Sequence, residues 1–407
     1  MPDMKDQQKL PLGEELICPL HPVYYGVRAS TPAREPYVPD GHRVWLVTRY
    51  KDVRAVLADS RVVKDVRQAA ALYNKQTGGD RPIIGGPLAL HMLNVDPPDH
   101  ARLRAVVGKA FTEQAVERFR PKIEANADLL LGQLAQHEQV DLIPGYGLPL
   151  AIMNTCQLLG LPPSEIEMLN SWAEALPQFY PPDEANEVAR GIGDQLVTLL
   201  ANKRAAPGDD LLTAMINAHD AGEINNDELL AMTYLMIVAG FETSVNLIAN
   251  SVLALLLHPD QLALLREDPA LLPGAVDELL RYDGPAAMAA IRFTTAPVQV
   301  GGVEIPEGEF VLVSLRVANR DESRFPDSDK LDIKRAASGH MSFGHGIHYC
   351  VGAILGRAEA NIAIGKLIER FPDITLGVAP AELTWLDGTI VHNLVSLPVS
   401  LYGQRAE

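Results

Sequence analysis

The chain has 407 residues, of which 47% are hydrophobic and 21% are charged, an ordinary balance for a globular protein. Its formal net charge of −17 argues against a nucleic-acid-binding surface and against general affinity for anionic membranes. Three widely spaced cysteines cannot form a disulfide framework, and the polar N-terminus lacks the apolar core of a signal peptide. We therefore expect a soluble protein of the reducing cytoplasm, without nucleic-acid or membrane partners.

The N-terminal half begins with mixed signals and then becomes helical. Residues 43–48 predict a strand, and residues 50–57 predict a short helix. Residues 63–91 contain four glycines and many polar side chains, which predicts a long loop of the kind that serves as a lid or a binding loop. Helical periodicity then dominates residues 97–272.

The C-terminal part changes its pattern. Residues 298–313 form short β runs separated by glycines, which predicts hairpins, and residues 319–341 lack periodicity. Residues 352–370 predict a helix, and residues 390–399 a terminal β segment. The predicted fold is mainly α with a smaller β portion in a single domain, residues 1–407, whose β-richer parts lie at about 20–60, 290–320 and 380–402.

One predicted helix is unusually long and apolar. Asn226 is a favourable N-cap, and the helix has about 32 residues, or roughly 48 Å at 1.5 Å per residue. Its apolar run is too short for a membrane span of roughly 20 residues, which predicts a buried helix. Gly240, Glu242 and Thr243 are unusual there, since glycine and buried polar groups are unfavourable in a helix interior. They indicate either close helix packing with a structural ion pair for Glu242, or a ligand that approaches the helix.

Basic residues also suggest a ligand. His100 and Arg104 are four residues apart on one helix face, which suits a carboxylate ligand but also an ordinary solvated surface. Arg102 would point elsewhere, into water. Arg292 lies within an apolar run and therefore needs a partner.

The strongest signal is the segment 342–352, which reads Ser-Phe-Gly-His-Gly-Ile-His-Tyr-Cys-Val-Gly. Cys350 lies between Gly346 and Gly352, with Phe343 seven residues before it, and a helix-forming run follows. Glycines let a backbone lie close to a flat group, and a helix N-terminus favours a thiolate. The segment, called here the cysteine loop, is therefore suited to present one sulfur to a metal, and haem iron accepts a single axial thiolate.

Two other interpretations of the cysteine loop remain open from these residues. Cys350 would be simply a small buried hydrophobic side chain. Alternatively, His345, His348 and Cys350 would together bind zinc or non-haem iron, since all three side-chain types are metal ligands.

The cysteine loop resembles the haem-thiolate signature of the cytochrome P-450 superfamily, Phe-Gly-x-Gly-x-His-x-Cys-x-Gly, and residues 343–352 match it at every fixed position. The resemblance implies the cofactor haem b, with Cys350 as the proximal iron ligand and Gly352 beside it. Phe343 would pack near the sulfur, and His348 would bind a haem propionate.

Residues 239–244, Ala-Gly-Phe-Glu-Thr-Ser, resemble the oxygen-activating element of the same family. The resemblance implies that Ala239 and Gly240 contact the haem. It implies that Thr243 hydrogen-bonds dioxygen or a neighbouring water, and that Glu242 feeds protons in from the solvent side. It also assigns the remaining basic residues to the haem propionates, namely His100, Arg104 and Arg292.

A further motif, Glu278-x-x-Arg281, is on its own an ordinary pair of helix-surface charges. In the family an identical pair is buried and joined by an arginine that precedes the cysteine loop, a position that Arg335 fills here. The resemblance thus implies that these three residues hold the fold together. The chain departs from the family's residue pattern at Leu331 and Val351, where the family commonly has Phe and Leu, respectively.

The resemblance spans roughly residues 95–399 and implies the cytochrome P-450 fold, a triangular helical prism with haem between the long central helix and the helix behind the cysteine loop. It implies a soluble, monomeric monooxygenase that inserts one atom of dioxygen into an apolar small molecule. Residues 91–98 are most similar to bacterial members that tailor polyketides and macrolides. A haem-thiolate binding or sensor protein without turnover is the alternative.

The resemblance also implies where partners and substrate bind. Electrons would come from a ferredoxin and its NAD(P)H-dependent reductase, docked at the cysteine-loop face near Lys334, Arg335 and Arg357. Substrate contacts are predicted for apolar segments that would surround the haem, namely at Leu93, Met236, Ala239, Ala287, Ile291 and Asn393.

Overall fold

The structure is a computed structural model that describes residues 33–34, 44–78, 86–162, 165–175, 182–386 and 390–403. Helices dominate these residues, as predicted. The α-helices are α1 (Tyr50–Ala58), α2 (Val66–Thr77), α3 (Asp99–Gly108), α4 (Glu113–Leu134), α5 (Leu148–Leu159), α6 (Ile166–Ala175), α7 (Pro182–Ala205), α8 (Leu211–Asp220), α9 (Asn226–Leu257), α10 (Pro259–Glu267), α11 (Leu272–Asp283), α12 (Leu315–Ala318) and α13 (Ala353–Arg370). Short turns of 3₁₀ or π type lie at Gly86–Ala89, Lys109–Phe111, Ile143–Gly147, Pro269–Leu271, Gly346–His348 and Pro380–Glu382.

Helix α9 is the long central helix, and it packs against α5, α11 and α13. Its 32 residues match the predicted length, but Asn225 rather than Asn226 is the N-cap. The Asn225 side chain accepts from the Glu228 N–H at 2.9 Å, and the Glu228 carboxylate accepts from the Asn225 N–H at 2.8 Å, a capping box. The most apolar stretch of α9 has a mean hydropathy of 1.4, which would suit a membrane span, but 67% of that stretch is buried within the protein. Such burial is typical of a core helix.

The strands form three small sheets. They are β1 (Ala33–Arg34), β2 (Val44–Val47), β3 (Val62–Val63), β4 (Gln139–Asp141), β5 (Arg292–Thr294), β6 (Val298–Val300), β7 (Val303–Ile305), β8 (Phe310–Val313), β9 (Thr375–Leu376) and β10 (Pro398–Ser400). One sheet has the order β1-β2-β8-β5-β3, with β2 and β8 parallel, and another has the order β4-β10-β9. Strands β6 and β7 form the predicted hairpin, whose turn residues Gly301 and Gly302 have φ of 58° and 91°.

The predicted loop at 63–91 is wrong over its first half, because α2 lies there. The Asp65 side chain caps this helix by accepting from the Arg67 N–H at 2.9 Å, and Gly78 ends it with φ of 69°. Helix α2 has no fully buried residue, and its apolar face, formed by Ala69, Leu72 and Tyr73, packs only partly against the core, so its helical spacing is a weak signal among polar side chains. Residues 79–85 of the predicted loop lie outside the described residues.

The predicted terminal β segment at 390–399 is mostly irregular. Strand β10 begins at Pro398, and before it Val391 and Leu394 form isolated bridges with Ala286 and Trp385, respectively. The segment therefore lies beside the chain at 286 instead of forming a regular sheet. The β signals predicted at 20–32 lie outside the described residues.

The three residues predicted to hold the fold together are joined in the structure. Arg281 donates to the Glu278 carboxylate through Nε at 2.6 Å and through Nη2 at 2.8 Å, and Arg335 Nε donates to it at 3.1 Å. Glu278 and Arg281 are fully buried. Arg281 also donates to the carbonyls of Asn319 and Ser328, at 2.9 and 2.8 Å. These bonds connect α11 to the irregular segment that precedes the cysteine loop.

Arg102, which was predicted to point into water, is partly exposed but paired. Its guanidinium donates to Glu228 at 2.9 Å and to Asp99 at 3.0 Å. The pair joins α3 to the first turn of α9. The two helices that flank the cavity described below are thus tied together at their N-terminal ends.

Candidate active site

A cavity of about 320 Å³ lies between α9 and the cysteine loop. Its walls come from segments that are far apart in the sequence. Most of the predicted site residues line it, namely Leu93, His100, Arg104, Met236, Ala239, Gly240, Thr243, Arg292, Phe343, His348, Cys350 and Gly352. The structure therefore brings the residues of three separate motifs to one place.

The cysteine loop has the backbone conformation that its glycines permit. Gly344 and Gly346 have φ of 73° and 75°, in the left-handed region that other residues rarely adopt. A Cβ at Gly346 would lie 2.4 Å from the carbonyl oxygen of Leu57 at the end of α1, so the loop is pressed against that helix. The Cys350 N–H donates to the Phe343 carbonyl at 2.9 Å. This bond closes the loop and fixes Cys350 at its place in the cavity wall.

The Cys350 side chain is exposed and lines the cavity. Burial raises the pKa of its thiol, while a hydrogen bond from the Gly352 N–H and the charges of Arg104 and Arg357 lower it. A thiol that coordinates a metal is deprotonated outright. Cys350 is therefore placed as a ligand facing a cavity, and the interpretation of it as a packing cysteine is wrong.

Five basic side chains cluster in one part of the cavity wall. Four of them are His100, Arg104, Arg292 and His348, as predicted, and the fifth is Lys64. Lys64 was not predicted to lie here, because an isolated lysine in a sequence gives no sign of burial. Lys64 and Arg292 are nevertheless 5% and 4% exposed.

Each histidine of this cluster has one buried ring nitrogen without a hydrogen-bond partner among the described residues. The Nε2 atoms of His100 and His348 are buried and unpaired within the described parts of the chain. Asp96 Oδ1 lies 3.6 Å from His348 Nε2, too far for a hydrogen bond. Burial lowers the pKa of His348 to about 4 and also lowers that of His100. An anionic ligand that accepted from both nitrogens would reverse these shifts.

These donors fit iron protoporphyrin. The cavity offers one thiol for the iron and a cluster of cationic and N–H donors for the two carboxylates of the porphyrin. The zinc interpretation is wrong: in the part of the chain that the structure describes, no three His, Cys, Asp or Glu side chains are placed to hold a metal ion.

Helix α9 presents its unusual residues in two directions. Thr243 lines the cavity, and its hydroxyl donates to the Ala239 carbonyl at 2.9 Å. A Cβ at Gly240 would lie 3.0 Å from the Thr155 hydroxyl of α5, so close packing of two helices explains this glycine, although it also lines the cavity. Glu242 is not part of the lining. Its carboxylate accepts from the Asn393 side chain at 3.2 Å, and burial raises its pKa.

Three predicted substrate contacts do not line the cavity. Ala287 is 2% exposed, and Ala286 takes its place in the wall. Ile291 is 45% exposed and points away, because the neighbouring Arg292 points inwards along the extended chain. Asn393 contacts Glu242 instead.

A buried carboxyl group in the cavity wall was also missed. Glu359 of α13 is 5% exposed and accepts from Asn154 at 3.1 Å and from Ser244 at 2.8 Å. Burial raises its pKa to about 7, against the effect of these two donors. The sequence signal was an acidic residue within an otherwise apolar helix face, between Ala358 and Ala360.

A mainly helical chain with a thiol and a basic cluster across one cavity defines a haem-thiolate protein. The chain belongs to the cytochrome P450 family: the family model described as Cytochrome P450 matches residues 198–376. Cytochrome P450 107B1 of Saccharopolyspora erythraea is 45% identical over 378 residues, covering 92% of this chain and 93% of that protein. The cofactor is therefore haem with a thiolate ligand, and the enzyme is a cytochrome P450 monooxygenase.

Two other matches agree on family and fold. The Vitamin D(3) 25-hydroxylase of Pseudonocardia autotrophica is 42% identical over 383 residues, covering 94% of this chain and 93% of that protein. The tirandamycin C-bound P450 monooxygenase TamI has a TM-score of 0.90 and 39% identity, and the match covers 96% of this chain and all of that one. The predicted cytochrome P450 fold is confirmed.

Proposed function

We propose that this monooxygenase inserts one oxygen atom into a large, apolar natural product of the polyketide or macrolide type. The observation that carries the proposal is the composition of the wall on the α9 side of the cavity. Most of the side chains there are apolar, namely Leu93, Met236, Ala239, Ala286, Ala289 and Ala290, while Thr243 and Ser244 add hydroxyl groups. Such a wall suits a ligand without charge over most of its surface.

The small side chains of this wall support a bulky ligand. Ala286, Ala289 and Ala290 come from the segment between α11 and β5, and Ala239 faces the cavity from α9. Four alanines in a wall leave room that larger side chains would fill. The similarity of residues 91–98 to polyketide- and macrolide-tailoring enzymes agrees with a bulky substrate, as does the tirandamycin C bound by TamI. A secosteroid is the competing class of substrate, since the relative named for vitamin D(3) is 42% identical to this chain, compared with 39% for TamI.

Haem, when bound, supplies the iron at which dioxygen is reduced and split. The chain's own residues hold it. Cys350 would ligate the iron, and the donors of the basic cluster, including His100, Arg104, Arg292 and His348, would hold its carboxylates. Phe343, packed under the Arg357 guanidinium at 4.6 Å, would shield the sulfur from water.

Thr243 and Glu242 would deliver protons to the reacting oxygen. The Thr243 hydroxyl lies in the cavity wall and donates to the Ala239 carbonyl, one helical turn away. By rotating, the hydroxyl can donate its hydrogen bond to a ligand or a water instead. Glu242 lies behind Thr243, and burial raises the pKa of Glu242, which makes the carboxyl group easier to protonate, as the resupply of protons requires. We assign Thr243 the placement of a proton at the reacting oxygen and Glu242 its resupply.

Electrons would come from an external ferredoxin and its NAD(P)H-dependent reductase in the cytoplasm, with the enzyme as a monomer. The predicted docking charges need revision. Arg335 is directed inwards to Glu278, and Arg357 Nε is bound to Asp277 at 2.7 Å. Lys334 remains exposed. An acidic partner would therefore have to compete with Asp277 for Arg357.

The test is turnover with a surrogate ferredoxin, its reductase and NADPH under oxygen-18 gas. A panel of macrolide aglycones, vitamin D3 and a fatty acid would be screened. The proposal expects one oxygen-18 atom in the product from a macrolide aglycone. Product from vitamin D3 alone would overturn the substrate class. Ligand-induced changes in the haem spectrum without any NADPH-dependent product would support the sensor alternative.

A further inference from the structure

Lys64 is a buried charge that nothing in the sequence motifs explains. It is 5% exposed, lies between β3 and α2, and lines the cavity. Removing an ammonium group from water costs several kcal/mol unless an anion is close by. An anion is therefore expected at the point where the Lys64 side chain meets the cavity.

The protein itself offers Lys64 little negative charge. Its titratable neighbours are four basic groups and one carboxylate, namely Arg292, His91, His100, His348 and Asp96. Asp96 Oδ2 is already bound by two backbone N–H groups, those of Lys64 at 2.9 Å and Asp65 at 2.8 Å. Within the described ranges no carboxylate lies at ion-pair distance from the Lys64 ammonium group.

Asp96 instead fixes the position of Lys64. Asp96 lies three residues before α3 begins. By accepting from two successive N–H groups, it holds the backbone at residues 64–65. The same carboxylate approaches His348 Nε2. One acidic side chain therefore joins the backbone at Lys64 to the segment that leads into α3, and it lies near His348 of the cysteine loop.

We propose that Lys64 donates a charged hydrogen bond to one of the two carboxylates of the haem, as the fifth member of the basic cluster. The inference rests on the haem site and adds a residue outside the motifs that define it. A carboxylate of the substrate has the same chemistry, but the cofactor is the ligand that the neighbouring His100, His348 and Arg292 already face. In the absence of such an anion, burial and the charge of Arg292 hold the pKa of Lys64 well below its usual value.

The experiment compares the rate of haem loss from three holoenzyme variants. Ferric protein is mixed with excess apomyoglobin, and the transfer of haem is followed by absorbance. Lys64→Met is expected to lose haem roughly tenfold faster than wild type, since truncating one partner of a buried charge pair is costly. Lys64→Arg keeps the charge and should stay close to the wild-type rate. Lys75→Met, an exposed lysine of α2, is the matched control and should be unchanged.

Each outcome decides the proposal. Equal rates for Lys64→Met and wild type overturn it, and so does equally fast loss from Lys64→Met and Lys64→Arg, which would indicate packing rather than charge. Lys64→Met with unchanged haem loss but weakened binding of carboxylate-bearing ligands assigns Lys64 to the substrate and overturns it as well. None of these results bears on whether wild-type protein oxidises a substrate, so failure here is distinguishable from failure of the proposed function.

Discussion

The side-chain amide of Asn393 donates to the Glu242 carboxylate at 3.2 Å, which connects the irregular segment after Ile390 to the centre of α9. The next backbone N–H in that segment, of Leu394, donates to the Asn246 side chain at 3.3 Å. Asn246 in turn donates to the Glu242 carbonyl at 2.9 Å. The acid that we assign to proton supply is therefore held by the C-terminal segment and not by a cation.

Asn393→Ala is expected to change the pH dependence of product formation. The hydrogen bond from Asn393 lowers the pKa of Glu242 against the raising effect of burial. Without it the pKa rises further, so the inflection assigned to Glu242 should move to higher pH. The measurement is product formed per NADPH consumed across the pH range. Asn217→Ala, on the exposed face of α8, is the control, and superimposable profiles for Asn393→Ala and wild type would disprove the connection.

Thr243→Ala should uncouple the enzyme. The variant lacks a hydroxyl that lines the cavity and donates only within its own helix, to the Ala239 carbonyl, and loss of a positioned proton donor costs about a hundredfold or more. We expect NADPH oxidation to continue while product per NADPH falls and hydrogen peroxide accumulates. Thr243→Ser keeps the hydroxyl and should retain most of the coupling. A Thr243→Ala enzyme as well coupled as wild type would contradict the assignment.

Glu278→Gln should strongly destabilise the protein. It leaves two guanidinium groups, those of Arg281 and Arg335, without their shared carboxylate in a buried place. Breaking such a pair costs about 3–5 kcal/mol. Asp327→Asn is the control: its ion pair with Lys330 has both side chains at least 70% exposed and should contribute little. Urea denaturation of the holoenzymes measures both, and equal stability of the two variants would refute a structural role for Glu278.

Glu359 should make the protein less stable as pH rises. Its pKa is about 7 in the folded protein against an ordinary 4.5, so between these values the folded state holds an extra proton. The free energy of unfolding then falls with rising pH, by about 3 kcal/mol across the window. Glu359→Gln should remove this slope, and Glu369→Gln, exposed on the same helix, should not. Parallel pH curves of the urea midpoint for wild type and Glu359→Gln would contradict the shift.

The chemistry of the site was predictable where a motif fixes both residue type and spacing. The cysteine loop must bend through Gly344 and Gly346, and those positive φ angles are visible in the sequence as glycines. The length of α9 was predictable because apolar residues run unbroken by proline to Leu257. The fold-holding group was also predictable, since Glu278 and Arg281 lie one helical turn apart.

Other features depend on packing that a single sequence does not reveal. Helix α2 was missed because its apolar face, formed by Ala69, Leu72 and Tyr73, is short and only partly buried, although Asp65 and Gly78 are favourable caps. Ala287 was predicted to line the cavity, but Ala286 lines it instead. Neither composition nor periodicity determines which of two adjacent alanines faces a cavity. Lys64 was missed because its burial is produced by Asp96, which binds the backbone from 31 and 32 residues away.

The most direct test of the account is the absorption spectrum of the dithionite-reduced protein under carbon monoxide, for wild type and Cys350→Ala. Thiolate ligation by Cys350 predicts a Soret band strongly shifted to the red in wild type, at the wavelength that gives the family its name, and its loss in the variant. A wild-type band at the shorter wavelength typical of histidine-ligated haem would contradict the assignment. An unchanged band in Cys350→Ala would do the same.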